Sequence, residues 1–162
     1  MDTIKNLGLY VLELSGVNNY DRITPNIYLG NYKASQKDNF DTIINCSKYL
    51  PFHHDKTYNH RIPVNDDLSN NSNLLLLKYM IETLPIINEH VKRNKRILVH
   101  CKAGMQRSAA VVAAYLMKYE NYTLKDAKKF VISKRNVAFM SGSNFNLCLH
   151  LFNKHLHNTT YS

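Results

Sequence analysis

One stretch, RILVHCKAGMQRSAAVVAAYLM from Arg96 to Met117, limits what this chain can fold into more than any other. It opens with KRILVH, an apolar run too short for a helix and lacking polar alternation. That is the pattern of a strand covered on both faces, near the middle of a sheet. It closes with an alanine- and valine-rich segment, Ser108 to about Asn121, apolar almost all round and therefore expected to form a buried helix. Between the two lies a short polar arc holding Cys101, Gly104 and Arg107. A buried strand that feeds a buried helix through such an arc predicts an α/β chain built in layers.

The arc contains the parts needed to cleave a phosphate ester through sulfur. A thiol is a weak nucleophile at neutral pH, so Cys101 must become a thiolate. Its place between a strand end and a helix start surrounds it with backbone N–H groups and the positive end of a helix dipole. Both lower a thiol pKa, and both bind a phosphate dianion. Gly104 allows the backbone to turn amides of Lys102, Ala103, Met105 and Gln106 inward. Arg107 offers a planar fork for two phosphate oxygens. Ser108 is placed to hydrogen-bond the sulfur, and His100 to order the loop rather than act as a base. A bare C-x5-R is a common accident; adding His before, Gly third and Ser after reduces the chance to about one in 10⁵.

The remaining chain supplies other layers. NIYLG (Asn26–Gly30), DTIINCS (Asp41–Ser47) and HRIPV (His60–Val64) read as strands. The asparagine-rich NDDLSNNSN, from Asn65 to Asn73, reads as a loop, and a long helix is expected from about Asn73 to Asn94. Pro85 is expected to kink or break that helix. Thr123 should cap a further helix with Asp126 at its third position, and a last helix should cover Asn144 to His157. Ile4, Leu7, Val11 and Leu14 recur at helical spacing, so residues 1–16 read as an amphipathic helix that packs on the body or meets a second copy.

His100-Cys101-x-x-Gly104-x-x-Arg107-Ser108 resembles the phosphate loop of the cysteine-dependent protein tyrosine phosphatase superfamily. AYLMKY (Ala114–Tyr119), NIYLGNYKAS (Asn26–Ser35) and IPVND (Ile62–Asp66) resemble its small dual-specificity subfamily. The N-terminal helix leading into YLGNYKAS is similar to the poxvirus-type members. The resemblance implies a three-layer fold: a mostly parallel, twisted sheet flanked by helices, with the phosphate loop between central strand and helix. It places a catalytic domain over residues 23–157. It implies hydrolysis of phosphotyrosine and phosphoserine/threonine esters through a cysteinyl-phosphate, with no metal or other cofactor. It also implies a general acid after the IPV strand end, which falls on Asp66, with the adjacent Asp67 as the alternative.

The chain departs from the family at two places. The proline usual after the arginine of the next-to-last helix is absent, leaving Arg135-Asn136, and VAFMSGSNFNLCL matches the family's PN-x-GF region only partly. Rival readings remain open. CKAG resembles the opening of a phosphoinositide phosphatase loop, although Met105 stands where that family carries lysine. An RNA 5′-triphosphatase draws support from the net charge of +9, which favours acidic partners without choosing among them. A non-catalytic phosphate-binding module would need no acid.

Phosphorylated proteins are the expected partners, and nucleic acid is not favoured. Three cysteines, Cys46, Cys101 and Cys148, are too few and uneven for a disulfide framework and point to a reducing, intracellular setting, with the cytoplasm expected first and nucleus or virus particle left open. Cys46 and Cys148 read as core residues. His53, His54 and His60 with Asp55 match no standard metal-ligand spacing.

Overall fold

The computed structural model describes residues 16–55 and 57–159. Strands β1 (Tyr20–Arg22), β2 (Ile27–Gly30), β3 (Thr42–Asn45), β4 (Tyr58–Arg61) and β5 (Ile97–His100) form one sheet in the order β1-β2-β5-β3-β4. β1 runs antiparallel at one edge; all other pairings are parallel. Four α-helices occur among the described residues: α1 (Asn70–Lys92), α2 (Arg107–Tyr119), α3 (Leu124–Lys134) and α4 (Asn146–Thr159). A 3₁₀ helix covers Tyr32–Gln36.

The expected central strand is β5, and every one of its residues is buried. Its side chains divide by face, as strand geometry requires. Ile97, Val99 and the following Cys101 join the main core with the four helices, whereas Leu98 meets Ala34, Phe40 and Ile43 on the opposite side. Among the described residues the layers are therefore unequal: four α-helices on one face, a 3₁₀ helix and a small aromatic cluster of Tyr20, Tyr28 and Phe40 on the other. The helix after the arc is buried from Ser108 to Met117. Burying Val111, Val112 and Leu116 there contributes at most about 1.5–3 kcal/mol each. The arc from Cys101 to Gln106 is thus clamped between a fully buried strand and the most buried helix among the described residues.

Several boundaries differ from expectation. The strand read at His60–Val64 lies earlier, at Tyr58–Arg61; Ile62 to Val64 leave the sheet, and Val64 N–H turns back to the Ile62 carbonyl at 2.9 Å. α1 starts at Asn70 rather than Asn73, because Ser69 caps it by accepting from Ser72 N–H at 3.0 Å. Pro85 sits inside α1 without ending it. It lies on the exposed face, where water can satisfy the carbonyl that its missing N–H leaves unpaired. Thr123 caps α3 as expected, accepting from Asp126 N–H at 3.1 Å. β1 and the 3₁₀ helix had no periodic signal to announce them. The expected helix carrying Ile4, Leu7, Val11 and Leu14 lies outside the described residues.

Candidate active site

Cys101 follows the last residue of β5 and is 2% exposed. The register pairs Asn45 with His100, and Cys46 N–H donates to the His100 carbonyl at 2.7 Å, so Cys46 lies beside Cys101 on the neighbouring strand line. From Cys101 to Gln106 the chain bends into a loop whose carbonyls are all engaged. The Cys101 carbonyl accepts from His100 Nδ1 at 3.3 Å, and that of Lys102 from Tyr32 N–H at 3.1 Å. Arg135 serves the next two, with Nη2 donating to the Ala103 carbonyl at 3.2 Å and Nε to that of Gly104 at 3.0 Å. Phe139 N–H donates to the Met105 carbonyl at 2.8 Å, and Ala110 N–H to that of Gln106 at 2.9 Å. In a trans peptide the N–H points opposite to the C=O. A ring of carbonyls tied from outside therefore leaves the amides facing the hollow beside the sulfur, which is an anion-binding nest.

Gly104 shows why the loop needs its glycine. Its φ is +68°, and a Cβ there would sit 2.5 Å from the Gly30 carbonyl oxygen and 3.1 Å from Arg135 Nη2. Gly30 is equally hemmed in, since its own Cβ would meet the Asn19 carbonyl at 2.8 Å. Gly104 thus lets the loop close onto the end of β2, while the glycine of YLGNYKAS makes room for Asn19, Tyr20 and Ala34.

Electrostatics set Cys101 apart from the other thiols. Burial alone pushes it up, yet the Arg107 charge, the Ser108 hydroxyl and the backbone N–H groups of Ser108 and Met105 outweigh burial and hold it below its ordinary value of 9.0. The Ser108 Oγ lies 3.1 Å from Cys101 Sγ. Cys46 moves the other way, raised first by burial and then by the neighbouring Cys101, and burial pushes Cys148 up to about 12. All three are free thiols. Arg107 anchors its Nη1 on the Val64 carbonyl at 3.0 Å, while its Nε is buried without a partner among the described residues. A buried guanidinium N–H held this way beside an amide nest is suited to an incoming phosphate oxygen.

His100 is fully buried, and burial drives it down to about 4, so it is neutral at pH 7. Only a protonated Nδ1 can donate to the Cys101 carbonyl, which fixes the tautomer.

The two candidate acids part company. Asp67 is exposed and accepts from both the N–H and the hydroxyl of Ser69, at 3.0 and 2.7 Å. Those bonds and one from Ser72 hold its carboxyl at about 2. Asp66 is half-buried, and its Oδ1 accepts from Asn144 Nδ2 at 2.7 Å. Within the phosphate loop Lys102 is exposed, Ala103 and Met105 are half-buried, and the Gln106 side chain turns away from the hollow. Its Nε2 donates to the carbonyls of Met140 at 3.1 Å and Gly142 at 2.9 Å, while its Oε1 accepts from Asn144 N–H at 3.0 Å.

Sequence reasoning missed Arg135 as a contributor, noting it only for the proline absent beside it. Arg135 is 1% exposed; besides its two loop carbonyls it donates to the Asn18 carbonyl at 2.9 Å and pairs with Asp21 at 2.7 Å. No local pattern could announce this, because its partners lie far away in sequence. Asn144 and Tyr32 were missed for the same reason. The histidines set aside earlier serve elsewhere: His53 contacts the Tyr32 hydroxyl at 2.9 Å, His54 the Gln36 carbonyl at 3.1 Å and His60 the Thr83 hydroxyl at 2.9 Å.

A depressed cysteine in an amide nest, with an arginine at the following helix start, defines a phosphatase that works through sulfur. The family described as dual specificity phosphatase, catalytic domain, matches residues 27–155, and the chain belongs to it. A protein of Invertebrate iridescent virus 6 named as tyrosine phosphatase 123R is 36% identical over 124 residues, covering 73% of this chain and 81% of its own. Human dual specificity protein phosphatase 1 is 34% identical over 122 residues, 71% of this chain and 32% of its own, so this chain spans about a third of that relative. The solved structure of human DUSP28 superposes with a TM-score of 0.78 at 26% identity, covering 86% of this chain and 96% of that one. Among the described residues no helix is long and apolar enough to cross a membrane.

Proposed function

We propose that this chain dephosphorylates proteins in two displacements at one sulfur, with each role assigned to a named residue. Cys101 Sγ attacks phosphorus while the inward amides of residues 102–107 and the Arg107 fork take the equatorial oxygens. Asp66 gives a proton to the departing ester oxygen, leaving phosphate on sulfur. The ionised Asp66 then draws a proton from water, which attacks phosphorus, and the thiolate leaves with the Ser108 hydroxyl beside it. His100 fixes the loop through the Cys101 carbonyl. Asp67 is occupied by Ser69, which supports Asp66 as the acid.

The observation that carries this reading is the ring of engaged carbonyls, because it turns every amide of the arc toward one anion. The uncharged Met105 at the loop rim supports a phosphoprotein over a multiply charged lipid headgroup, against the exposed Lys102, which would fit a second anionic group. Residues 23–157 are read as the catalytic domain. The free thiols support work in a reducing compartment.

The test is a substrate panel of phosphotyrosine and phosphothreonine peptides, phosphoinositides and triphosphate-ended RNA, run on wild type and Cys101→Ser. Phosphopeptide turnover should dominate, fall by about 10⁴-fold or more in Cys101→Ser, follow a bell-shaped pH profile, yield to vanadate and ignore EDTA. Turnover surviving Cys101→Ser sinks the scheme, and a preference for lipid or RNA moves the substrate class.

A further inference from the structure

The wall beside the site, residues 137–145, is the stretch whose sequence departs from the family pattern, and its geometry gives it a task. The chain turns sharply through three left-handed positions within four residues: Phe139 at φ +57°, Ser141 at +64° and Gly142 at +96°. Non-glycine residues adopt that region at a cost, so the surroundings must enforce it. Three bonds from one side chain do so. Gln106, itself part of the phosphate loop and 7% exposed, holds the carbonyls of Met140 and Gly142 with its Nε2 and the N–H of Asn144 with its Oε1. Phe139 N–H adds a fourth tie, to the Met105 carbonyl. The outcome is that Asn144 is aimed across the site, where its Nδ2 meets Asp66 Oδ1 at 2.7 Å. Asn144 is held in turn from beneath, because its carbonyl accepts from Asn73 Nδ2 at 3.2 Å.

We infer that Asn144 is the positioning residue of the general acid, with Gln106 transmitting the placement of the phosphate loop to it. The inference rests on Asp66 being the acid, as proposed above. A carboxyl that must reach the leaving oxygen works only within a narrow geometry, and an amide bonded to one of its oxygens fixes the plane of both. Arg107 grips the same segment two residues earlier, at the Val64 carbonyl. Both grips on the acid segment therefore originate in the phosphate loop: one directly through Arg107, the other through Gln106 and Asn144.

The experiment uses the full chain and two aryl phosphates, phenyl phosphate with a poor leaving group and 4-nitrophenyl phosphate with a good one. Wild type, Asp66→Asn, Asn144→Ala, the near-isosteric Asn144→Leu and the Asp66→Asn/Asn144→Ala double variant are compared, with vanadate inhibition measured for each. The ratio kcat/KM reports only the first displacement, before Asp66 acts on water, and there a misplaced acid hurts only where the leaving oxygen needs its proton. Both Asn144 variants should lose about ten- to a hundredfold in kcat/KM on phenyl phosphate and about threefold or less on 4-nitrophenyl phosphate, with vanadate inhibition unchanged. The double variant should be no slower than Asp66→Asn alone, since one chain of action is cut twice.

Equal losses on both substrates with weaker vanadate inhibition would make Asn144 a support of the phosphate loop and overturn the inference. Wild-type rates in both variants would overturn it as well. If Asp66→Asn itself shows no leaving-group dependence, the acid assignment fails first and takes this inference with it, by a result distinct from the others.

Discussion

The phosphate loop and the acid segment face each other across the site and are held in opposite ways. Cys101 to Gln106 have every carbonyl engaged, a glycine packed against the Gly30 backbone, and a buried arginine closing the outside. Ile62 to Ser69 have a bond from Ile62 N–H to the Asn45 carbonyl at 2.9 Å, the Arg107 and Asn144 grips, and a local turn at Asp67. Asn65, Asp67 and Leu68 are exposed, and Leu68 is left-handed at φ +63°. The difference follows from the tasks. An oxyanion frame contributes most when its dipoles are fixed before the reaction. An acid has to close on leaving groups of different shape, so its segment belongs to the less stable part of the molecule.

The comparison breaks most readily at Arg135. Arg135→Met removes the buried partner of an ion pair with the half-buried Asp21 and leaves two loop carbonyls unserved. It should cost about 3–5 kcal/mol in urea unfolding and weaken vanadate inhibition. A loss confined to stability, with vanadate binding intact, would mean the loop keeps its shape without Arg135.

A pH series probes the same frame through His100. The folded chain holds it neutral down to about pH 4 against an ordinary value of 6.5. Between those values the unfolded chain binds a proton that the folded chain does not, so stability rises with pH across the window and is lost as pH falls through it. The loss should approach about 3 kcal/mol at the lower end. Unfolding midpoints for wild type and His100→Gln, measured between pH 7 and 4, should diverge in slope; parallel curves would remove His100 from the account.

The smallest effect sharpens the contrast from the other side. Ser69→Ala deletes the cap of α1 next to the acid segment and should cost about 1 kcal/mol while vanadate inhibition stays at the wild-type level. A change in vanadate inhibition there would show that the two loops share more than their named bonds.

Much of the site was legible because its chemistry is local. Cys101, Gly104, Arg107 and Ser108 stand within one turn of chain, and the apolar run before them and the alanine-rich run after them announce a buried strand and a buried helix by pattern alone. Capping at Thr123 was legible for the same reason, since donor and acceptor are three residues apart. That Pro85 does not break α1 was not legible, because its effect depends on which face of α1 meets solvent, and that is a property of packing. The Ser69 cap was hidden in an asparagine-rich run where several residues compete for the position.

What the sequence determined, then, was the reaction: a thiolate, a nest and an arginine are set by residue type at fixed spacing, and short-range geometry does the rest. The tertiary structure alone decided how that arc is held and what each of the two candidate aspartates bonds to. Arg135 reaches back 117 residues to Asn18, and Asn144 reaches 78 residues to Asp66. Such bonds depend on where the sheet and helices bring distant segments together, and no spacing within a short window encodes that.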